Sequence, residues 1–260
     1  MTVGCILVAA GIGERLGAGR PKALVEVGGR ALVRYAVEAV AASGVVDHLT
    51  VVAPPGHERQ TAGIAAAASS LAATSATGAA DARPRENGLL RESGRPQGTS
   101  VCVVTGGATR QQSVRNGLDA TPADADVVLV HDAARCFAPP TLIAQIVAAV
   151  RAGADAVVPA VPVVDTLVEV DEPGATVVGA PDRRRLRAVQ TPQGFRRQVL
   201  EDAHVAAAER GDRDATDDAG LVRRLGVEVH AVPGVDEAFK ITTPLDLARA
   251  EAALAAGLLR

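Results

Sequence analysis

The sequence predicts an α/β fold: a doubly wound, mostly parallel sheet with a projecting β-hairpin arm. Three observations lead there. Short β-branched runs recur along the chain and are apolar throughout rather than alternating, as expected of strands buried on both faces. Between them lie apolar residues at helical spacing. After the fifth such run, two segments alternate instead, which marks a half-exposed ribbon rather than another core strand.

Taken in order, the strand candidates are Val3–Val8, Leu49–Ala53, Val101–Thr105, Val127–His131 and Ala156–Ala160. Helical spacing is clearest in Leu32, Val33, Ala36, Val37 and Val40, and again in Leu142, Ile143, Ile146, Val147 and Val150. Ligands of such sheets bind beyond the carboxyl ends of the strands, here the loops after Val8, Val104 and Val130. Residues 62–100 are rich in Ala, Ser, Gly and Arg, with little periodicity after Leu71, and 74–100 is expected to be a disordered surface insertion. Residues 161–188 carry VVDTLVEV and ATVVGA around Pro173-Gly174, the expected arm. A ribbon with apolar residues on one side needs a partner surface, and a second copy of the chain is the expected partner. Thr216-Asp217-Asp218 opens a helix through Leu225, with Thr216 a good N-cap on its chemistry, and Gly226 ends it. Val227–Val232 is a further strand, and Thr243-Pro244-Leu245-Asp246 starts the last helix with a cap, a proline at the first position and an acid in the first turn. Residues 1–260 are expected to form one domain.

Composition narrows the function classes. Hydrophobic residues make up 48% of the 260, enough for a normal core, but aromatics only 2% with no Trp, so packing rests on Ala, Val and Leu. A single-stranded nucleic-acid platform needs exposed rings for stacking, and a net charge of -3 provides no global attraction to nucleic acid or anionic membrane. Neither partner is expected. The three Cys form no C-x-x-C pair. Cys5 and Cys102 sit in apolar runs and are expected to be buried small hydrophobes in a reducing compartment. The start of the chain has no basic flank or long apolar stretch, and no run approaches the roughly 20 apolar residues of a membrane span. A cytoplasmic location is expected.

The first loop carries the strongest chemical signal: Ala9-Ala10-Gly11-Ile12-Gly13-Glu14-Arg15-Leu16, then Pro21-Lys22. Gly11 and Gly13 permit tight bends whose N–H groups can face an anion, and Arg15 and Lys22 add two positive charges at a strand's carboxyl end, which suits a triphosphate. A dinucleotide loop fits less well. The glycines at 11, 13 and 17 do not form G-x-G-x-x-G, and the second strand ends Val51-Val52-Ala53-Pro54-Pro55 without the acid a ribose would need. No G-x-x-x-x-G-K-[ST] exists. On this loop alone, a plain turn stays open beside phosphate binding.

Further stretches follow in order: Gly106-Gly107-Ala108-Thr109-Arg110-Gln111-Gln112-Ser113-Val114, Val130-His131-Asp132-Ala133-Ala134-Arg135, Val164-Asp165-Thr166, Asp182-Arg183, Gln190-Thr191-Pro192-Gln193-Gly194-Phe195, Thr216-Asp217-Asp218 and Phe239-Lys240-Ile241-Thr242-Thr243-Pro244. With the first loop, this series resembles the 2-C-methyl-D-erythritol 4-phosphate cytidylyltransferase family over nearly the whole chain outside the insertion. The resemblance implies a sheet of the nucleotide-diphospho-sugar transferase type. It also implies a reaction in which the acceptor's 4-phosphate attacks the α-phosphorus of CTP and expels pyrophosphate, a step of non-mevalonate isoprenoid precursor synthesis. Such a phosphate is already anionic at neutral pH, its second pKa being about 6, so no general base is required. Charge must instead be neutralised where two anions meet.

By resemblance, Arg15 and Lys22 stabilise the transition state, and Arg183 and Lys240 position the acceptor. Ala9, Ala10, Gly11, Gly13, Gly107 and Ser113 surround the nucleotide, and Arg110 supports their loop. Asp132 contacts ribose or a magnesium ion bridging the triphosphate, which needs only one or two protein carboxylates. Arg135, Thr166, Arg183, Thr191 and Thr216 contact the acceptor. Thr166, Arg183 and Thr191 lie in or beside the arm, which in the family reaches the neighbouring subunit's site, so a homodimer with shared sites is implied. His131 receives no role. Arg183 stands in an Arg183-Arg184-Arg185 run that would otherwise read as a solvated face. Cys136-Phe137 stands where the family usually has Pro, which puts the local loop shape in question. A ribitol 5-phosphate cytidylyltransferase would share the first loop and the fold; a sugar-1-phosphate nucleotidyltransferase or a non-catalytic nucleotide binder is a more distant reading. A mere binder would not need both charge sets.

Overall fold

The computed structural model describes residues 1–80, 98–172, 174, 176–212 and 215–259. In chain order the elements are β1 (Thr2–Val8), β2 (Glu26–Val27), β3 (Arg30–Ala31), α1 (Leu32–Ala42), β4 (His48–Ala53), α2 (Glu58–Ala80), β5 (Ser100–Thr105), α3 (Arg110–Ala120), β6 (Ala125–Asp132) and α4 (Pro140–Arg151). There follow β7 (Ala156–Pro162), β8 (Glu169–Val170), β9 (Val177–Gly179), β10 (Arg187–Val189), β11 (Gln193–Arg196), α5 (Arg197–Glu209), α6 (Asp218–Arg224), β12 (Val229–Pro233) and α7 (Pro244–Ala255).

The continuous apolar runs pair as expected of strands covered on both faces. β6, β1, β4 and β5 lie side by side and parallel. β11 pairs antiparallel with both β6 and β7, β10 continues along β7 with Val189 opposite Ala160, and β12 pairs parallel with β7. The sheet is therefore mostly parallel, with one antiparallel insertion formed by β10 and β11 end to end. Alternate residues of β1 show why helices cover both faces. Val3, Cys5 and Leu7 belong to one core, with Val33, Val37 and Ile143 of α1 and α4. Ile6 belongs to the other, with Val114, Leu200 and Leu221 of α3, α5 and α6.

The arm leaves the main sheet after Pro162 and returns at Arg187. Within it β8 and β9 pair antiparallel as a separate ribbon, with Val170 opposite Val177. Its apolar residues face outward: Val164 is 85% exposed, Val178 63% and Val177 61%. Pro173 and Ala175 of its turn lie outside the described residues.

Several expectations need correction. Residues 74–80 continue α2 and Ser100 opens β5, so helix and strand take both ends of the expected insertion; its middle, 81–97, lies outside the described residues. Cys102 is exposed, not buried, because β5 is an edge strand and an apolar run there need not be covered. Cys5 is buried as expected, and burial pushes its thiol up to about 12. The cap of α6 is Asp217, whose side chain accepts the Gly220 N–H, rather than Thr216. The last helix carries a full capping box between Thr243 and Asp246. Among the described residues no helix is long and apolar enough to cross a membrane.

Candidate active site

Four loops meet at the carboxyl end of the parallel strands. The first follows β1 and folds back on itself: the Lys22 N–H donates to the Gly11 carbonyl at 3.2 Å. Gly13 has φ +77, and a Cβ there would stand 2.7 Å from the Lys22 Cβ. A glycine is therefore required both by the left-handed backbone and by the close approach of the lysine. Leu16, at the end of a short 3₁₀ turn, is buried and pins the loop to the core.

The second loop follows β5. A Cβ on Gly106 would meet the Ala10 Cβ at 2.3 Å, so this glycine lets the first two loops touch. The Ser113 hydroxyl accepts the Gly107 N–H at 3.0 Å and donates to the Thr109 carbonyl at 2.9 Å. Thr109 in turn caps α3. Support for this loop thus comes from Ser113, whose hydroxyl is committed to it. Arg110, the first residue of α3, sends its guanidinium across to Asp132 Oδ1 at 3.3 Å and Asp218 Oδ2 at 2.8 Å.

The third loop begins at Asp132, whose N–H donates to the Thr191 hydroxyl at 3.0 Å. The fourth carries Lys240, which lies in an irregular segment rather than a strand. The segment is held because the Ile241 N–H donates to the Ala134 carbonyl at 2.9 Å. Lys240 Nζ then lies 2.7 Å from Asp132 Oδ2.

These loops enclose a cavity of about 590 Å³, within the range of small-molecule sites. Arg15, Lys22 and Lys240 all line it. So do Ala9, Ala10, Gly11 and Gly13 of the first loop, and Gly107, Arg110, Ser113 and Asp132. Glu14, Pro55 and Thr242 also stand in the wall without having been expected there; Glu14 and Thr242 lie inside stretches already singled out, whereas nothing local marks Pro55.

Five expected site residues do not line this cavity. Thr166 and Arg183 are exposed on the arm, with an Arg183 Nη donating to the Val164 carbonyl at 2.7 Å. Thr216 is exposed before α6. Thr191 is buried, its hydroxyl shared between the Asp132 N–H and His131 Nδ1. Arg135 donates to the Ala238 and Val189 carbonyls, tying the Lys240 segment to β10. Cys136 and Phe137 are buried, with the Phe137 ring against Tyr35.

The electrostatics follow from this crowding. Burial, followed by the positive charge of Lys240, pushes Lys22 down to about 8. Burial opposes ionisation of Asp132, but Arg110 and then Lys240 outweigh it and hold the carboxyl well below its ordinary range. Burial lowers His131 to about 4. Among the described residues no group of three or more His, Cys, Asp and Glu is placed to hold a metal ion. The carboxylates in the cavity wall are Asp132 and Glu14. That donor set fits an ion held mainly by phosphate oxygens and water, with one protein carboxylate, and would not make a self-sufficient protein site.

The chain is similar to known proteins along almost its whole length. A model of the family described as 2-C-methyl-D-erythritol 4-phosphate cytidylyltransferase (IspD) matches residues 3–256. A relative of that name from Nocardia farcinica is 49% identical over 253 residues, covering 97% of this chain and 94% of its own. Another from Streptomyces coelicolor is 46% identical over 255 residues, covering 96% of this chain and 84% of its own. The crystal structure of the Thermus thermophilus 2-C-methyl-D-erythritol 4-phosphate cytidylyltransferase superposes with a TM-score of 0.68 at 35% identity, over 97% of this chain and 98% of that one. A match that runs the length of the chain and takes in all four loops of the cavity admits one assignment: the chain belongs to the 2-C-methyl-D-erythritol 4-phosphate cytidylyltransferase family.

Proposed function

We propose a division of labour among the residues of this cavity. As a family member the chain is a nucleotidyltransferase that moves CMP from CTP to 2-C-methyl-D-erythritol 4-phosphate, yielding the diphosphocytidyl product and pyrophosphate in isoprenoid precursor synthesis. An oxygen of the acceptor phosphate forms a bond to the α-phosphorus. The bond from that phosphorus to its bridging oxygen breaks, and pyrophosphate leaves with the electron pair. The attacking oxygen carries no proton near neutral pH, the second phosphate pKa being about 6, so repulsion between anions is the barrier to overcome.

The observation that carries this reading is the convergence of Arg15, Lys22 and Lys240 on one cavity beneath a glycine loop. In the proposal, Gly11 and Gly13 present backbone to the triphosphate. Lys22 and Arg15 take up charge as it builds at the α-phosphate, and Lys240, steered by Asp132, faces the acceptor. Ser113, Thr191 and Arg135 act by holding loops, since both hydroxyls and both Arg135 Nη atoms already bond neighbouring groups. A magnesium ion, when bound, would supply positive charge shared among the triphosphate oxygens, with Asp132 as its carboxylate. Arg183 and Thr166 would be delivered by the arm of a second copy, with the exposed valines of the arm seated against its partner; Thr216 is assigned to the outer part of the same acceptor pocket. Residues 1–260 act as one domain, an assignment supported by a sheet that draws strands from Thr2 through Pro233. Three free cysteines support a cytoplasmic location.

Pyrophosphate release tests the reading, with CTP, UTP, ATP and GTP each crossed against methylerythritol phosphate, ribitol phosphate and a hexose 1-phosphate. CTP with methylerythritol phosphate should be the productive pair, and turnover with ribitol phosphate in its place would overturn the acceptor assignment.

A further inference from the structure

The Thr216-Asp217-Asp218 stretch contains a side chain that the reaction as outlined does not use. Asp218 is 1% exposed and does not line the cavity. It is the first residue of α6, whose Ala219, Leu221 and Val222 belong to the same core as Leu200 and Ala203 of α5. A carboxylate in such a place is costly to desolvate, and the surrounding packing does not require one. Both of its oxygens are engaged. Oδ2 accepts from Arg110 Nη1 at 2.8 Å, and Oδ1 lies 2.9 Å from His204 Nε2, which is also buried. Burial opposes ionisation of Asp218, but the His204 hydrogen bond and the Arg110 charge hold its carboxyl below the ordinary range. An ionised carboxylate only accepts, so His204 Nε2 carries the hydrogen.

The contacts continue without a break toward the cavity. Arg110 Nε donates to Asp132 Oδ1 at 3.3 Å, and Asp132 Oδ2 accepts from Lys240 Nζ at 2.7 Å. The inner pair is buried, with side-chain exposures of 2% at His204 and 1% at Asp218, whereas Arg110 is 24% exposed, Asp132 11% and Lys240 39%. The inner end is thus fixed by packing and the outer end faces the cavity.

We propose that His204 and Asp218 are positioning residues for the transfer reaction. Their buried hydrogen bond orients Arg110, which fixes the Asp132 carboxylate that steers Lys240. A buried ion pair contributes little net stability but strongly constrains geometry when every lone pair is used. Arg110 has a fork of donors that can hold two carboxylates at once. Deleting the hydrogen bond from His204 frees Asp218 to rotate, and Arg110 then loses one of its two anchors.

The inference rests on the cytidylyltransferase reading, and kinetics on the full chain with CTP and methylerythritol phosphate separate the two. His204→Phe keeps the volume and removes the donor, and His204→Asn keeps an amide too short to reach. Each should lower kcat/KM by about 10- to 100-fold, the scale of a small misplacement at a reacting centre. His204→Gln restores a donor at the Nε2 position and should recover to within about threefold of wild type, with a thermal midpoint near that of wild type, whereas His204→Asn and His204→Phe leave a buried acceptor unpaired and should also lower the midpoint. On an Arg110→Ala background His204→Asn should add almost nothing, because its effect passes through Arg110. Multiplying losses in that double variant, full activity of His204→Asn, or a folded His204→Gln as damaged as His204→Asn would each overturn the proposal. If His204→Phe fails to fold, the Asn and Gln variants carry the comparison. A wild-type chain inert toward this substrate pair would overturn the underlying functional reading instead.

Discussion

Lys240 Nζ and Asp132 Oδ2 lie 2.7 Å apart across 108 residues of sequence, joining the last loop of the chain to the end of β6 at the rim of the cavity. Asp132 is only 11% exposed at its side chain, so its charge is desolvated and depends on its two cationic partners.

That dependence makes the pair testable. Lys240→Ala should raise KM for the acceptor by about tenfold or more while changing KM for CTP little, because the lysine is assigned to the acceptor side. Steady-state titration of each substrate checks this. Equal effects on both substrates would move Lys240 to the triphosphate.

Lys22 sets an alkaline limit. Its ammonium is pushed down to about 8, first by burial and then by Lys240, so it is protonated below that pH and neutral above. The protonated form is the active one, and kcat/KM, which reports the free enzyme, should fall as pH rises through about 8. Bound triphosphate favours the ammonium, so the limb in kcat should lie higher. Lys22→Arg should carry the kcat/KM limb upward, since a guanidinium stays charged. A kcat/KM profile flat to pH 10 in the wild type would contradict the assignment.

Gly13 tests the loop itself. Gly13→Ala forces a side chain into a left-handed position, costing about 1–2 kcal/mol, and drives its Cβ to 2.7 Å from Lys22. The lysine must move, so kcat should drop by about tenfold or more with only a small fall in the thermal midpoint. Unchanged kcat would show that Lys22 tolerates displacement.

The arm predicts complementation between subunits. Lys22→Ala spoils the cavity of its own chain, and Arg183→Ala spoils the arm offered to the neighbour. Equal mixing after subunit exchange should yield hybrids with one intact site, restoring about a quarter of wild-type activity. Confirmed exchange without recovery would place Arg183 outside the partner's site.

Much of this was readable from local pattern, and the exceptions share a cause. Continuous apolar runs identify β1, β4 and β6 because burial on both faces leaves no alternation. Gly11, Gly13, Arg15 and Lys22 are marked by chemistry within a dozen residues. His204, by contrast, looks like one polar residue on an amphipathic helix until α6 brings Asp218 to it. Cys102 looks buried because periodicity does not distinguish an edge strand from a central one. Thr216 and Asp217 are both good caps on composition, and the choice between them depends on the phase in which α6 begins. Ser113 and Thr191 read as substrate hydroxyls, yet three-dimensional packing spends them on Gly107, His131 and Asp132.

In the proposed mechanism the cations of this cavity matter most when the two phosphates are joined in the transition state. Kinetics of Lys22→Ala measure that directly. The expected result is a fall in kcat of about 10²- to 10³-fold, as for loss of one preorganised electrostatic contact, with KM for CTP within about threefold of wild type. An unchanged kcat, with the loss confined to KM, would contradict it.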